Sequence, residues 1–295
     1  MTATIAIAAA EPLAEEPGWR DFARRFVRHR SALIGGTIVA ALVLVALLSP
    51  WIAPYDYSRT NLLHTWEEPG SAYLLGADQL GRDILSRLIV GARVSLTVAF
   101  SVLAITLIVG TAAGMAAAWF GGRVESVIMR SADVTLAFPE LILAILVAAT
   151  LGPGLPSIVL SLAIVYWPGL ARIVRSMVLS IRRELFIDAA IAAGTPTHRI
   201  LLRHCLPNVL PVLVVRASAG VGSVIMAEAG LSFLGLGVQE PLPSWGSMVR
   251  DGLTALRTDP HMALVASAAL GITIVGFNLL GDGLRDLLDP KLKDR

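Results

Sequence analysis

Lysine is almost missing from this chain: Lys291 and Lys293 stand against 22 arginines. Neither is followed by Ser or Thr, so the chain has no Walker A loop through which to bind ATP. Charge as a whole is scarce, 16% of 295 residues where an average chain carries about a quarter. With a mean hydropathy of +0.72, that scarcity excludes a soluble globular protein. A single cysteine, Cys205, rules out an intrachain disulfide and sets no redox compartment. Between His204 and Leu206 it reads as a small apolar residue. Five histidines at 29, 64, 198, 204 and 261 show no metal-ligand spacing. No His/Asp or Ser/His grouping is found either, so no catalytic residue, metal site or cofactor is expected in this chain.

What the chain does have is long apolar runs. A bilayer-spanning helix needs roughly 20 such residues. Ser31–Ala53 qualifies, behind a flank of Arg24, Arg25, Arg28 and Arg30, and Val94–Phe120 carries no charge at all. Val134–Ala171 is too long for one span, and the turn-forming Gly152-Pro153-Gly154-Leu155-Pro156 divides it into two. Val209–Leu231 and Met262–Gly281 bring the expected count to six. The fold class expected is therefore an all-α membrane protein with six transmembrane helices.

Basic residues concentrate on the cytoplasmic side of membrane proteins. With the N-terminus inside, the inner segments hold 17 Lys and Arg and the outer segments six, with Arg216 left in the fifth span. Both termini are thus expected to be cytoplasmic. The first 18 residues, Ala-rich with Glu11, Glu15 and Glu16, lack the basic start of a signal peptide and read as a cytoplasmic tail. The expected divisions are a tail at 1–30, a first span with an extracytoplasmic segment at 31–93, a core at 94–282 and a second tail at 283–295. No internal repeat is apparent, which argues against inverted-repeat secondary transporters.

Leu170 to Leu206 is a stretch without transmembrane character on the expected cytoplasmic side. Inside it stand Asp188-Ala189-Ala190, three residues, Gly194, eleven residues, then Leu206-Pro207. Ala189–Ala193 favours helix, and Gly194 stops it by taking the left-handed conformation. Thr195 then serves as N-cap with Pro196 first in a second short helix, which Leu206-Pro207 ends at the membrane entry. The product is a compact knob suited to a partner's cleft, or a surface hairpin with no partner.

This loop resembles the EAA motif by which ABC-importer permeases grip their ATPase, matching at Ala189, Ala190, Gly194, Leu206 and Pro207, with Asp188 in place of the usual Glu. Two further stretches resemble motifs of dipeptide and oligopeptide permeases. One is Leu75-Gly76-Ala77-Asp78-Gln79-Leu80-Gly81-Arg82-Asp83-Ile84-Leu85-Ser86-Arg87 with Gly91-Ala92-Arg93-Val94-Ser95-Leu96. The other is Leu231-Ser232-Phe233-Leu234-Gly235-Leu236-Gly237-Val238-Gln239 with Pro243-Ser244-Trp245-Gly246. The resemblance runs from Arg24 to Pro290 and is to the C-type permease of the peptide/nickel importer group. It implies the type I importer permease fold, with the loop at 184–207 coupling to a cytoplasmic ATPase that binds ATP and Mg. It also implies a second, different permease as heterodimer partner and an extracytoplasmic solute-binding protein. The cargo it implies is a dipeptide or oligopeptide, with nickel chelates, glutathione or haem as alternatives; an ion-coupled secondary transporter is the competing class.

Read from the residues alone, Asp78, Arg82, Asp83 and Arg87 pair at near-helical spacing, which fits an amphipathic outer helix as well as substrate contact. Of the intramembrane charges, Arg216 lies about 10 Å into its span and is expected to reach the inner surface. Glu228, about 28 Å along, is expected in hydrated surroundings at the outer interface. Glu140, about 9 Å past Val134 and next to Pro139, faces the bundle interior either as a packing group or as a lining of the translocation path.

Overall fold

The computed structural model describes residues 19–288, and side chains from residue 23. The tail at 1–18, the last residues from 289, and with them Lys291 and Lys293, lie outside the described residues. Among those described every regular element is a helix, apart from one isolated β-bridge.

A short helix α1 (Trp19–Arg28) breaks at His29, whose ring accepts from the Ala32 amide and caps α2 (Arg30–Ile52). Asp83 likewise accepts from the Ser86 amide and starts α3 (Ile84–Phe120), at Ile84 rather than the expected Val94. The cap decides the start: apolar-run counting stops at Arg93, but a helix of 37 residues can project beyond the bilayer's ~30 Å core.

The third span departs most from expectation. It is two helices, α4 (Gly122–Leu136) and α5 (Glu140–Leu151), bent by 96° at the break. The break holds Phe138-Pro139, where the residue before proline leaves the helical region. Ion pairs Arg175–Glu125 and Arg172–Asp133 tie α4 to α6 (Leu155–Ile181). Five helices are long and apolar enough to cross a membrane, and the bent pair, if counted as one span, brings the number to six.

Helix α6 runs to Ile181, past the expected exit at Ala171. After α7 (Leu185–Ala192) the chain enters α8 (Thr197–Ile200), a π-helical turn (Leu201–Cys205) and α9 (Leu206–Phe233), together one 37-residue helix. The stretch expected to lack transmembrane character therefore shrinks to α7 and its flanks. A short α10 (Trp245–Leu253) and the long α11 (His261–Leu288) follow.

Glycines let α2 and α11 touch backbone to backbone at two places, as membrane packing favours. A Cβ at Gly35 of α2 would stand 2.8 Å from the Gly276 carbonyl of α11, and one at Gly283 would stand 2.6 Å from the Ala32 Cα. The larger core joins α3, α5, α6, α9, α10 and α11 around Val102, Ile158, Ile225 and Trp245. A smaller core, with Val174, Val178, Ile187, Ile200 and Val209, sits under α7. The bundle thus has a cap end, formed by residues 54–83 with α10, and a knob end, formed by α7.

Candidate functional site

At the knob end, Arg182 donates to the Trp119 carbonyl (2.9 Å) and lies 5.3 Å from the Trp119 ring centroid, fixing the exit of α6 on the end of α3. Helix α7 then closes by two bonds, Gly194 N–H to Ile191 O (2.9 Å) and Thr195 N–H to Ala190 O (3.0 Å). With Gly194 at φ +74°, this is a Schellman stop. Pro196, not Thr195, occupies the cap of the next helix. Ile187 is fully buried and anchors the knob, while Leu185 (84% exposed), Phe186 and Ile191 face outward. Asp188 and Ala189 are exposed and Ala190 half-buried; Asp188 lies in the first turn, where the helix dipole favours negative charge.

Leu206 and Pro207 do not end a helix, contrary to expectation; both lie inside the continuous one. Pro207 has no N–H for the carbonyl one turn back. The π turn accommodates this: the Leu206 amide reaches back to Leu201 O, and the Asn208 side chain donates to His204 O (2.7 Å).

At the cap end, Gly76, Asp78, Gly81, Arg82 and Asp83 come together, but not on a helix. Ala77 and Asp83 form a β-bridge around a tight turn, with Gly76 at φ +80° and Gly81 at φ +69°. A side chain at Gly81 would overlap the Asn61 carbonyl. The turn buries Asp78, Arg82, Asp83 and Arg87. Asp78 accepts from the amides of Leu80 (2.8 Å) and Arg82 (3.0 Å) and from Arg82 Nε (2.7 Å); Arg87 Nε stands 3.3 Å away. Arg82 turns its other two nitrogens onto Glu240, in the loop between α9 and α10. Those hydrogen bonds hold the Glu240 carboxyl below the usual carboxylate range, against a smaller opposing push from burial. Sequence reading had no signal for Glu240, 158 residues from its partner.

Between the two ends, Glu140 and Arg216 line one cavity of about 370 Å³ bounded by α3, α5, α6 and α9. Glu140 opens α5 at the bend instead of lying along a straight span. Arg216 sits near the middle of the 37-residue helix and faces this cavity and a second one toward α11. Glu228 is fully buried, not hydrated: it accepts from Ser232 Oγ (2.6 Å) and from Ser95 Oγ of α3 (3.2 Å).

Comparison with known proteins agrees in kind. Residues 108–294 match the family described as the binding-protein-dependent transport system inner membrane component. Residues 18–69 match the N-terminal transmembrane domain of oligopeptide transport permease C. The dipeptide transport system permease of Alkalihalophilus pseudofirmus is 39% identical over 93% of this chain and 90% of its own. The glutathione transport system permease of Pectobacterium atrosepticum is 41% identical over 93% and 92%. The oligopeptide transport system permease of Bacillus subtilis is 39% identical over 93% and 90%. On its bundle of apolar helices and these matches, the chain belongs to the binding-protein-dependent transport system inner membrane components, the permease subunits of ABC importers.

Proposed function

We propose that this chain forms half of a translocation path for short peptides and is driven by a separate cytoplasmic ATPase seated on α7. The observation that carries the coupling is the knob itself. Ile187 and Ile200 lock it to the smaller core, while Leu185, Phe186 and Ile191 remain uncovered on a single exposed helix. Burying such side chains is worth ~1.5–3 kcal/mol each, which suits a partner's cleft. Because the long helix after Gly194 carries Arg216, a push on the knob moves a wall of the central cavity. In this reading both termini and the knob are cytoplasmic, ATP and Mg are bound by the ATPase, and this chain has no cofactor. A second permease completes the path and an extracytoplasmic binding protein delivers cargo to the cap end.

Peptide cargo is supported by the dipeptide and oligopeptide permeases among the relatives; glutathione, itself a small peptide, is the second reading, on the 41% identical relative. The test is purification of the tagged chain from its native membrane. A second permease, a Walker A ATPase and a binding protein are expected with it. In the same strain, Gly194→Pro should abolish uptake at an unchanged amount of membrane protein, whereas Gly194→Asn should retain it, since Asn tolerates the left-handed turn. Normal uptake by the Pro variant would overturn the coupling role.

A further inference from the structure

The central cavity is lined by two opposite charges, Glu140 and Arg216, both exposed, and Arg216 also shares the neighbouring cavity with Asp282. Among the described residues, neither the Glu140 carboxylate nor the Arg216 guanidinium has a hydrogen bond or ion-pair partner, and they do not bond each other. Both side chains are open to the cavity, and a charge inside a membrane-spanning bundle is stabilised by a partner of opposite sign. A third polar group points the same way: Thr106 Oγ1, on the cavity wall, is buried with no hydrogen-bond partner. Small residues keep the space open. A Cβ built at Gly169 of α6 meets nothing within 4 Å. At about 370 Å³ the cavity falls within the ~300–1,000 Å³ range of small-molecule sites.

We propose that this cavity is a transit site for a small zwitterion, with Glu140 receiving its ammonium group, Arg216 its carboxylate and Thr106 a hydrogen bond between them. The assignment rests on the importer reading and names what the path recognises. The geometry also supplies a way to release the cargo. Glu140 stands on α5 beyond a 96° break, whereas Arg216 stands on the helix that follows the knob. A shift of that helix changes the separation of the two charges, and a zwitterion of fixed length then loses one of its contacts.

The test needs neither ATP hydrolysis nor the binding protein. Gly169→Cys places a thiol on the cavity wall without a clash, and the native Cys205 is buried and should stay silent. In membrane vesicles holding the chain with its partner subunits and no nucleotide, the rate of maleimide labelling is measured against rising alanyl-alanine. Protection is expected, with a half-protecting concentration ~10-fold or more higher in Glu140→Gln and in Arg216→Gln, as loss of a charge-assisted contact implies. N-acetyl-alanyl-alanine amide, which lacks both charges, should protect least. Equal protection by the capped peptide, or unchanged protection in both variants, would overturn charge recognition. Labelling that no dipeptide slows would overturn the site. Failure of the coupling reading appears instead as an ATPase missing from the purified complex, and leaves this protection intact.

Discussion

Arg82 grips Glu240 with two parallel hydrogen bonds, Nη1 to Oε2 at 3.0 Å and Nη2 to Oε1 at 2.9 Å, while its Nε holds Asp78 at 2.7 Å. One guanidinium thereby fastens the 54–83 segment to the loop leaving α9. Arg82→Ala strips the buried Asp78 of its closest cation and should cost ~3–5 kcal/mol, the range for breaking a buried pair. Thermal unfolding of the purified protein in detergent would show it. Arg82→Lys should recover little, because an ammonium cannot reproduce the fork. A Lys variant as stable as the parent would mean that the bidentate geometry contributes nothing.

The same pair sets a pH response. Glu240 has its carboxyl held below the usual range, chiefly by the Arg82 hydrogen bonds. Its stabilisation is therefore complete above the unfolded value of ~4.3 and is lost as pH falls through the lower folded value. Unfolding temperature should be indifferent to Glu240→Gln in its slope between pH 7 and about 5. Below about pH 4 the parent should lose more stability than the variant. Parallel curves throughout would show that the carboxylate is not held by Arg82 in solution.

Helices α2 and α11 depend on the lack of a side chain at Gly35, where a Cβ would press into the backbone of α11 at Gly276 and Leu280. Gly35→Val should therefore separate the two helices and reduce the amount of folded protein in the membrane, read by fluorescence-detected gel filtration. Gly169→Ala, which meets nothing, is the control and should match the parent. Equal yields of the two variants would remove the packing argument for this seam.

These contacts show which parts of the molecule were legible beforehand. The membrane spans were, because each needs only a long apolar run, and the Gly194 stop was, because one glycine between an Ala-rich helix and Thr195-Pro196 has few conformations open to it. Phe138-Pro139 marks where α4 and α5 part, but the 96° size of the bend was not legible. Val134 to Leu151 reads as one apolar run, and only the structure shows α4 drawn sideways by Arg172 and Arg175. Spacing likewise misled at Asp78, Arg82 and Asp83. Charges four or five apart fit a helix, but Gly76 and Gly81 adopt positive φ and fold the same residues into a bridged turn. Neither Glu240 nor the cavity shared by Glu140 and Arg216 is visible locally, since each joins residues far apart in the chain.

Glu228 is the case where depth along a helix gave the wrong surroundings. Counting residues placed it near water, but α3 and α10 close over it. Its two oxygens take the Ser232 and Ser95 hydroxyls, and Ser95 Oγ in turn lies 3.4 Å from the Trp245 amide. This carboxyl therefore joins α3, α9 and the start of α10 at the cap end. Glu228→Ala should leave both hydroxyls without an acceptor and cost ~1–3 kcal/mol, seen as a lower unfolding temperature in detergent. Glu228→Gln keeps one acceptor oxygen and the side-chain length, so it should fall between the parent and the Ala variant. If Ala and Gln proved equally stable, hydrogen bonding would not be what holds the junction, and the packing of Trp245 against Gly91 would have to carry it.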